Sequence, residues 1–433
     1  MPHAAEIEAE LRAHCLPGIG DLLPCDEFVM PHYEGLGIAN LPATIATLLG
    51  GELPGACPPL RHDLWAEWAS GVRRVVLVLF DALGYFQLRA AMQADDELIF
   101  HRLVEGGTLL PITSATPSTT CTVLTTLWTG YSPAAHGILA FEVLLRELSV
   151  AASLLFFYPI HHRQRDALSD WGVKADTFVP VPGLGEQLAA QGITTYSMIR
   201  KAYAHSMLSQ ICHRGVQKVV GFVGAGDMWL GLQRIIERHL DEKLYIMAYW
   251  GTMDGITHDY SPDDESWDVE LRGISWMMEK GFLSRLTPKQ REGTLLLLVA
   301  DHGGISTSPK TAVQFDDHPS LRDALSLPPL GEGRMPFLHT HADTFERARS
   351  YMQDQLSPSF VTLTREQVLS SGLLGPGPMY LETPHRLGDL VGLARGSHYL
   401  TRNDRQLKMK GRHGGLLAQE MWIPLFGVRL DAL

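Results

Sequence analysis

The stretch Arg73-Arg-Val-Val-Leu-Val-Leu-Phe-Asp81 decides the fold class, because it joins a continuous apolar run to a carboxylate. Aliphatic and β-branched residues without alternation predict a strand that is buried on both faces, as in a parallel sheet. Two other stretches have the same pattern: Lys243-Leu-Tyr-Ile-Met-Ala-Tyr-Trp-Gly251 and Gly293-Thr-Leu-Leu-Leu-Leu-Val-Ala-Asp301. We therefore expect three buried strands, two of which end in aspartate.

Helical segments alternate with these strands. Gly84 begins a turn into a helix, and residues 184–191 and 229–240 also have helical patterns. Strands that alternate with helices predict an α/β fold with a mainly parallel central sheet flanked by helices. Ligands of such folds bind at the carboxyl ends of the strands, where Asp81 and Asp301 are expected to lie.

The chain divides into four parts by composition. Residues 1–70 are short apolar pieces broken by Pro and Gly, which we interpret as an N-terminal extension packed on the core. Residues 71–305 are interpreted as the first part of the α/β core. Residues 306–400 contain two Pro/Gly-rich breaks and are interpreted as a small α/β cap insertion. Residues 401–433 return to the core.

Charge and cysteine content exclude several classes of protein. The 433 residues carry a formal net charge of −12, which disfavours binding to a nucleic-acid polymer. The five cysteines are widely spaced, without the pattern of a disulfide framework or a zinc knuckle. No signal peptide or membrane-spanning run is recognisable, so we expect a cytoplasmic protein without a membrane partner. No pattern indicates an oligomeric state.

Carboxylates and histidines follow the predicted strands and recur near the C-terminus. Asp254 and His258 are four residues apart, which places both on one face of a helix. Each element taken alone is more often a cap, a turn or a chance pair. Together they form a set of oxygen and nitrogen ligands that suits two divalent metals, zinc or manganese. The set comprises Asp81, Asp254, His258, Asp301, His302 and His413.

Residues 114–130 hold seven threonines and two serines. A hydroxyl at the start of a helix lies near free N–H groups and the positive end of the helix dipole, which is a ready anion site. Thr is a weak nucleophile unless a metal lowers its pKa. Either one of these hydroxyls reacts with a phosphoryl group, or Ser118 or Thr119 only caps the helix.

These motifs, taken in order, resemble the alkaline phosphatase superfamily, and within it the type I phosphodiesterase/nucleotide pyrophosphatase family. The resemblance runs from about residue 72 to residue 427 and implies an alkaline phosphatase-like fold. It is carried by six pieces: Phe80-Asp81-Ala-Leu-Gly, Pro117-Ser-Thr-Thr120, Thr129-Gly-Tyr-Ser-Pro-Ala-Ala-His136-Gly-Ile, Asp254-x-x-x-His258, Asp301-His302-Gly and His413-Gly-Gly.

The resemblance implies a role for each residue. Thr120 matches the nucleophile of the family, which implies a covalent phospho-threonine and net retention at phosphorus. The metal that activates this nucleophile is implied to bind Asp81, Asp301, His302 and the Thr120 oxygen. The metal that activates water is implied to bind Asp254, His258 and His413. His136 and Gly130 belong to the motif and are interpreted as residues that shape the loop.

The sequence departs from the family directly after the nucleophile. Nucleotide pyrophosphatases there carry Phe-Pro-Asn-His, whose Asn contacts the phosphate, whereas this chain has Cys121-Thr-Val-Leu124. Thr122 or a backbone N–H is the candidate for the missing donor. The sulfatase pattern Cys-x-Pro-x-Arg is absent.

The predicted function is hydrolysis of a small phosphate ester or nucleotide-like substrate by a phosphodiesterase or nucleotide pyrophosphatase. The alternatives on the same site are a phosphomonoesterase, a phosphonate hydrolase, a phosphomutase, or a catalytically silent binding protein.

Overall fold

A seven-stranded sheet runs through the computed structural model, which describes residues 2–433 and the side chains from Ala4 onward. Its strand order is β2-β18-β9-β1-β8-β6-β7, and β18 alone runs antiparallel to its neighbours. The strands of the chain, in order, are β1 Arg74–Phe80, β2 Gly107–Thr113, β3 Glu142–Leu145, β4 Val150–Ser153, β5 Tyr158–Pro159, β6 Thr194–Arg200, β7 Lys218–Phe222, β8 Leu244–Trp250, β9 Thr294–Ala300, β10 Ile305–Ser306, β11 Ala312–Gln314, β12 Leu330–Gly331, β13 Pro336–Leu338, β14 Phe360–Thr364, β15 Leu390–Ala394, β16 Tyr399–Thr401, β17 Gly411–Arg412 and β18 Trp422–Arg429.

The three strands predicted from the sequence are confirmed, and they lie side by side at the centre of this sheet. β1 and β9 are buried along their whole length, as expected for strands covered on both faces. Phe80, the last residue of β1, pairs with Trp250 on one side and with Ala300 on the other. All three strands therefore end at one level, and the residues that follow them meet at one edge of the sheet.

Helices cover both faces of the sheet, and the α/β class predicted from the sequence is confirmed. The two predicted helical segments correspond to α9 and α11, and the turn at Gly84 leads into α3. The helices are α1 Pro2–Ala13, α2 Leu41–Leu48, α3 Tyr85–Ala94, α4 Ile99–Glu105, α5 Thr120–Thr129, α6 Pro133–His136, α7 Ala167–Asp170, α8 Ala175–Phe178, α9 Leu184–Ala189, α10 Met207–Cys212, α11 Ala225–Arg238, α12 Thr252–Tyr260, α13 Glu265–Gly281, α14 Pro288–Arg291, α15 Pro319–Arg322, α16 Phe345–Gln355, α17 Arg365–Ser370, α18 Thr383–Arg386, α19 Asp404–Leu407 and α20 Ala418–Met421.

A second seven-stranded sheet is antiparallel, with the order β14-β15-β13-β12-β3-β4-β5. Four of its strands come from residues 330–394 and three from residues 142–159. The sheet is thus built from two distant segments that join where Gly331 pairs with Glu142. The cap boundaries at 306 and 400 stay a prediction, and residues 142–159 share the sheet with that segment.

The N-terminal seventy residues contribute to the main hydrophobic core, since Ile7, Leu11 and Ile45 are fully buried in it. This segment also corrects the prediction from cysteine spacing, because Cys15 and Cys25 are joined by a disulfide. Their ten-residue separation hides the pairing in the sequence, and the turns after α1 bring the two residues together. In the described chain, no helix is both long enough and apolar enough to cross a bilayer.

Candidate active site

The carboxyl ends of β1, β8 and β9 carry the side chains from which the site is built. Asp81 follows β1 and Asp301 follows β9, and both are fully or almost fully buried. After β8 the chain enters α12, on which Asp254 and His258 lie one turn apart. His413 comes from much later in the chain, directly after the short strand β17. The predicted residues therefore meet at the edge where the fold class places ligands.

Six carboxylate and imidazole side chains form two groups of three in the described part of the chain. Within each group one ligand atom from every residue lies within 4.8 Å of the others. The buried group contains Asp81, Asp301 and His302, and the half-buried group contains Asp254, His258 and His413. The structure thus brings together all six residues predicted from the motifs, in the two sets that the resemblance implied.

Short distances separate the imidazole and carboxylate atoms of each group. His302 Nε2 lies 3.3 Å from Asp81 Oδ1 and 3.5 Å from Asp301 Oδ2. In the other group, Asp254 Oδ1 is 3.3 Å from His258 Nε2 and 3.6 Å from His413 Nε2. A small cation between such atoms would contact all three side chains of a group.

The three histidines share one orientation that suits metal ligands. Nδ1 of His258 faces the carbonyl of Gly411 at 2.9 Å, and Nδ1 of His302 faces that of Gly303 at 2.8 Å. Nδ1 of His413 likewise lies 3.0 Å from the carbonyl of Ser118. A neutral imidazole that donates its Nδ1–H to a carbonyl presents the lone pair of Nε2, which is how proteins fix metal-binding histidines.

The carboxylates are poorly compensated by the protein itself. Asp81 Oδ1, Asp254 Oδ1 and Asp301 Oδ2 are buried and have no hydrogen-bond partner among the described residues. Burial, followed by the charges of Asp301 and Asp254, raises the pKa of Asp81 well above its ordinary value. Buried carboxylates that crowd one another in this way need a cation, so the donor set fits divalent metals.

Thr120 is the first residue of α5 and lies beside the buried group. Its Oγ1 is 3.5 Å from Asp81 Oδ2 and 3.4 Å from His302 Nε2. The helix begins there because Thr119 is extended, with φ −138° and ψ 147°, and the first N–H groups of the helix have no carbonyl partner one turn earlier. An anion that approaches the Thr120 hydroxyl also meets this positive helix end.

Most other hydroxyls of the threonine-rich stretch have structural partners, whereas Thr116 Oγ1 and Thr122 Oγ1 are buried without one in the described chain. Thr125, Thr126 and Thr129 donate to the carbonyls four residues earlier, at 2.7 to 3.0 Å. Ser118 donates to the carbonyl of Gly415, and Thr119 makes no side-chain capping bond to the helix. Thr119 thus occupies the N-cap position of α5, but neither Ser118 nor Thr119 caps the helix through its side chain.

Glycines let the loops of the site approach one another. A Cβ on Gly303, next to His302, would lie 2.0 Å from the carbonyl oxygen of Gln419. Gly414, next to His413, has φ +103°, and a Cβ there would lie 2.7 Å from Glu332 Cγ. The two His-Gly-Gly sequences thus have a steric requirement for glycine, because any larger residue would displace the adjoining histidine loop.

His136 and Thr122 are placed away from the reacting atoms. His136 is buried, accepts from the N–H of Ile138 at 3.1 Å and bonds Thr126 Oγ1 at 2.9 Å, which confirms that it shapes the loop. Gly130 ends α5 with φ +80°. Thr122 is fully buried, and it does not line either cavity that opens at Thr120 in the described chain.

Thr120 lines two cavities, and Asp254, Leu155 and Phe156 also line both. The first, of about 310 Å³, is mainly aromatic and apolar, and we call it the aromatic cavity. Its walls include Trp128, Phe156, Tyr203, Met247 and Tyr249, with Ser197 and His213 among them. The second, of about 340 Å³, is lined by five arginines, and we call it the arginine cavity. These are Arg163, Arg334, Arg402, Arg405 and Arg412.

Two residues of the site were missed by sequence reasoning. The hydroxyl of Tyr249, interpreted only as the end of a buried strand, donates to Asp81 Oδ2. Glu332 lines the arginine cavity and accepts from the N–H of Phe141 at 2.8 Å, and burial raises its pKa to about 7. The only local sign in the sequence that Glu332 belongs to the site is its position between Gly331 and Gly333, because glycines also flank other site residues.

Comparisons with known proteins agree with this geometry. The sequence model of the type I phosphodiesterase/nucleotide pyrophosphatase family matches residues 75–416, which contain all six carboxylate and imidazole residues. No curated protein sequence matches the chain.

Solved structures with a similar fold include murine ectonucleotide pyrophosphatase/phosphodiesterase 5, with a TM-score of 0.60 and 17% identity over 81% of this chain and 87% of that chain. An inactive variant of that enzyme, in complex with AMP, gives a TM-score of 0.61 and 17% identity over 82% and 87% of the two chains. Phosphonoacetate hydrolase from Sinorhizobium meliloti 1021, in complex with phosphonoformate, gives a TM-score of 0.60 and 14% identity over 82% and 93%. At these identities the likeness shows that the fold is shared.

Proposed function

The chain belongs to the type I phosphodiesterase/nucleotide pyrophosphatase family, and from this premise we propose that it is a two-metal phosphodiesterase that acts through Thr120. The family indicates a phosphoester hydrolase. The observation that carries the finer proposal is the position of the Thr120 hydroxyl, 3.5 Å from the carboxylate of Asp81 and at the start of a helix. It is the one hydroxyl of α5 with this combination of neighbours.

The reaction proceeds in two displacements. Thr120 Oγ1 attacks phosphorus, the bond to the leaving oxygen breaks, and the hydroxyl proton passes to solvent. A water oxygen then attacks the phospho-threonine, and Oγ1 leaves with restoration of the hydroxyl. Two in-line displacements give net retention at phosphorus. The N–H groups at the start of α5 face the phosphoryl oxygens and stabilise their negative charge throughout.

Two divalent ions are the proposed cofactors, with zinc as the first candidate and manganese as the alternative. Asp81, Asp301 and His302, with Thr120 Oγ1, would hold one ion, and Asp254, His258 and His413 the other. When bound, such ions neutralise phosphoryl charge and lower the pKa of an adjacent hydroxyl or water. The three imidazoles in a set of six suit zinc, and the carboxylates suit both metals.

The aromatic cavity supports a nucleotide-like substrate. Its walls of Trp128, Phe156 and Tyr203 offer flat apolar surfaces to a planar group attached to the phosphorus. At its far end, Nδ1 of His213 is buried without a hydrogen-bond partner in the described chain, and it can accept from the edge of a heteroaromatic ring. The AMP complex of the murine enzyme supports the same substrate class.

The cytoplasmic location stays a prediction, and one feature argues against it. A disulfide such as Cys15–Cys25 is rare in reducing compartments. Cys57, Cys121 and Cys212 are free and buried.

The test pairs metal analysis with turnover of a chromogenic phosphodiester. We expect about two zinc or manganese ions per chain, with loss of turnover in Thr120→Ala and partial turnover in Thr120→Ser, which keeps the hydroxyl. Thr125→Ala is the matched control. Thr125 lies further along α5 than Thr120, and its hydroxyl donates to the carbonyl of Cys121 within the same helix.

Full turnover by a metal-loaded Thr120→Ala protein would contradict the proposed nucleophile. A wild-type protein that binds no metal and cleaves no phosphate ester would indicate a silent binding protein instead. A phosphomonoester and phosphonoacetate complete the panel, because the likeness to phosphonoacetate hydrolase makes carbon–phosphorus cleavage the main alternative.

A further inference from the structure

The arginine cavity is unusual for this chain, because five guanidinium groups line one opening in a protein of net charge −12. Thr120 lines it, as it lines the aromatic cavity, and the two cavities also share Leu155 and Phe156. Any group that enters it is therefore attached to the reacting phosphorus or close to it.

Two of the five arginines are already neutralised. Arg334 is fully buried and makes a bidentate pair with Glu420, at 3.0 and 2.7 Å. Arg402 is paired with Glu142, which also lines the cavity. These two guanidiniums hold the walls together and contribute little net charge to a bound anion.

The other three guanidinium groups form no ion pair with a carboxylate in the described chain. Arg163 and Arg405 are exposed, and in the described chain neither side chain forms a hydrogen bond or an ion pair. Arg412 is 6% exposed and packs on the ring of Tyr399. It donates to the carbonyl of Gln406 and to the sulfur of Met409, while its Nε is buried without a hydrogen-bond partner in the described chain. A buried donor of this kind is costly unless a ligand satisfies it.

Acidic groups in the same cavity do not cancel these charges. Glu142 is paired with Arg402, and the carboxyl of Glu332 accepts from the N–H of Phe141. Asp254, the third acidic residue of the cavity, belongs to one of the two groups of candidate metal ligands. The opening therefore presents a positive field next to a phosphoryl site, with guanidinium groups whose planar donor forks match carboxylate and phosphate.

We propose that the arginine cavity binds a second anionic group of the substrate, a phosphate or a carboxylate, through Arg163, Arg405 and Arg412. This inference rests on the proposed function and refines its substrate class. The substrate then carries two different groups near the reacting phosphorus, an aromatic one for the aromatic cavity and a second anion for the arginine cavity.

The test compares diesters that differ in one charge. 4-Nitrophenyl propyl phosphate is neutral beyond the reacting phosphoryl group, whereas 4-nitrophenyl 2-carboxyethyl phosphate and 4-nitrophenyl 2-phosphonoethyl phosphate carry a second anion. We expect the wild-type kcat/KM to be at least about tenfold higher for an anionic diester, as bonds between charged groups allow. The two anionic diesters show whether phosphate or carboxylate is preferred.

In the variant Arg163→Gln/Arg405→Gln, the ratio of kcat/KM for an anionic diester to kcat/KM for the propyl diester should fall close to one. Turnover of the propyl diester should stay within about twofold of wild type. Both side chains are exposed and unbonded, so the fold should persist. Arg234→Gln/Arg238→Gln, which changes two exposed arginines on α11, is the charge-matched control and should leave the ratio unchanged.

A wild-type ratio near one would overturn the proposal for the arginine cavity, and so would a ratio in the double variant as high as that of wild type. Failure to cleave any of the three diesters with either metal would instead overturn the proposed function on which it rests.

Discussion

The imidazole rings of His302 and His413 stack face to face, with centroids 3.6 Å apart and planes inclined by 13°. His302 belongs to one group of candidate ligands and His413 to the other, so the two groups are in direct contact through these rings. Burial, followed by the charges of His302 and His258, lowers the pKa of His413 well below its ordinary value. His413 is therefore neutral at physiological pH, and its Nε2 atom remains available as a ligand.

We expect His413→Ala to lower the metal content from two ions per chain to one. Loss of one ion removes several kcal/mol of transition-state stabilisation, so kcat/KM should fall by about 10²-fold or more. Inductively coupled plasma analysis and diester turnover check this result. His162→Ala, which changes an exposed histidine, is the control. Retention of two ions by His413→Ala would show that His413 is not a ligand.

Asp81→Asn should have opposite effects on the metal-free and metal-loaded protein. The raised pKa of Asp81 means that ionising this buried carboxyl costs stability, and the cost grows as pH rises above the ordinary carboxyl value. We expect the metal-free variant to be more stable than metal-free wild type at pH 8, because the variant has no buried carboxyl to ionise.

Added zinc should stabilise wild type strongly and Asp81→Asn weakly, because the variant lacks a charged ligand. Thermal unfolding with and without a chelator measures both effects. A metal-free Asp81→Asn protein that is less stable than metal-free wild type would show that the carboxylate supports the fold by itself.

His136 should make stability depend on pH. Burial, with a smaller effect of Arg386, lowers its pKa from 6.5 to about 3. On acidification the unfolded chain protonates His136 at a higher pH than the folded chain does. The contribution of neutral His136 to the free energy of unfolding is therefore fully present above pH 6.5 and is lost as pH falls. Wild type should lose about 1.4 kcal/mol per pH unit more than His136→Gln between pH 6.5 and pH 5.

Urea denaturation at several pH values gives this slope. His161→Gln, at an exposed position, should leave it unchanged. Equal slopes for wild type and His136→Gln would mean that the imidazole is protonated in the folded state.

The central strands and the candidate metal ligands were predictable because each can be recognised from a few consecutive residues. The apolar runs that precede Asp81 and Asp301 fix two neighbouring strands, and a parallel register then brings their ends together. The spacing of Asp254 and His258 needs only one helical turn. Such signals survive without knowledge of the tertiary structure.

The arginine cavity was not predictable, since its walls come from separate parts of the chain. Arg163 follows the last strand of the second sheet, and Arg405 lies on α19 near the C-terminus. An exposed arginine in sequence is most often only a solvated charge. Only the pairing of β3 with β12, across almost two hundred residues, brings these walls to the same opening.

The buried ion pair of Arg334 and Glu420 ties the second sheet to the loop that carries His413. Glu420 also accepts from the N–H groups of Gly415 and Leu417, at 2.8 and 3.2 Å. Removal of one charge leaves the other buried without a partner, so we expect Glu420→Ala to destabilise the protein by about 3 to 5 kcal/mol.

The double variant Arg334→Met/Glu420→Leu separates the cost of an orphaned charge from the loss of the loop contacts. It buries no charge, so we expect it to recover part of the stability lost in Glu420→Ala. It also leaves the N–H groups of Gly415 and Leu417 without their carboxylate acceptor, so its metal affinity should stay below that of wild type. Urea denaturation and zinc titration measure the two effects separately. A double variant as unstable as Glu420→Ala would mean that the contacts to the His413 loop, rather than the charge pair, hold this part of the site together.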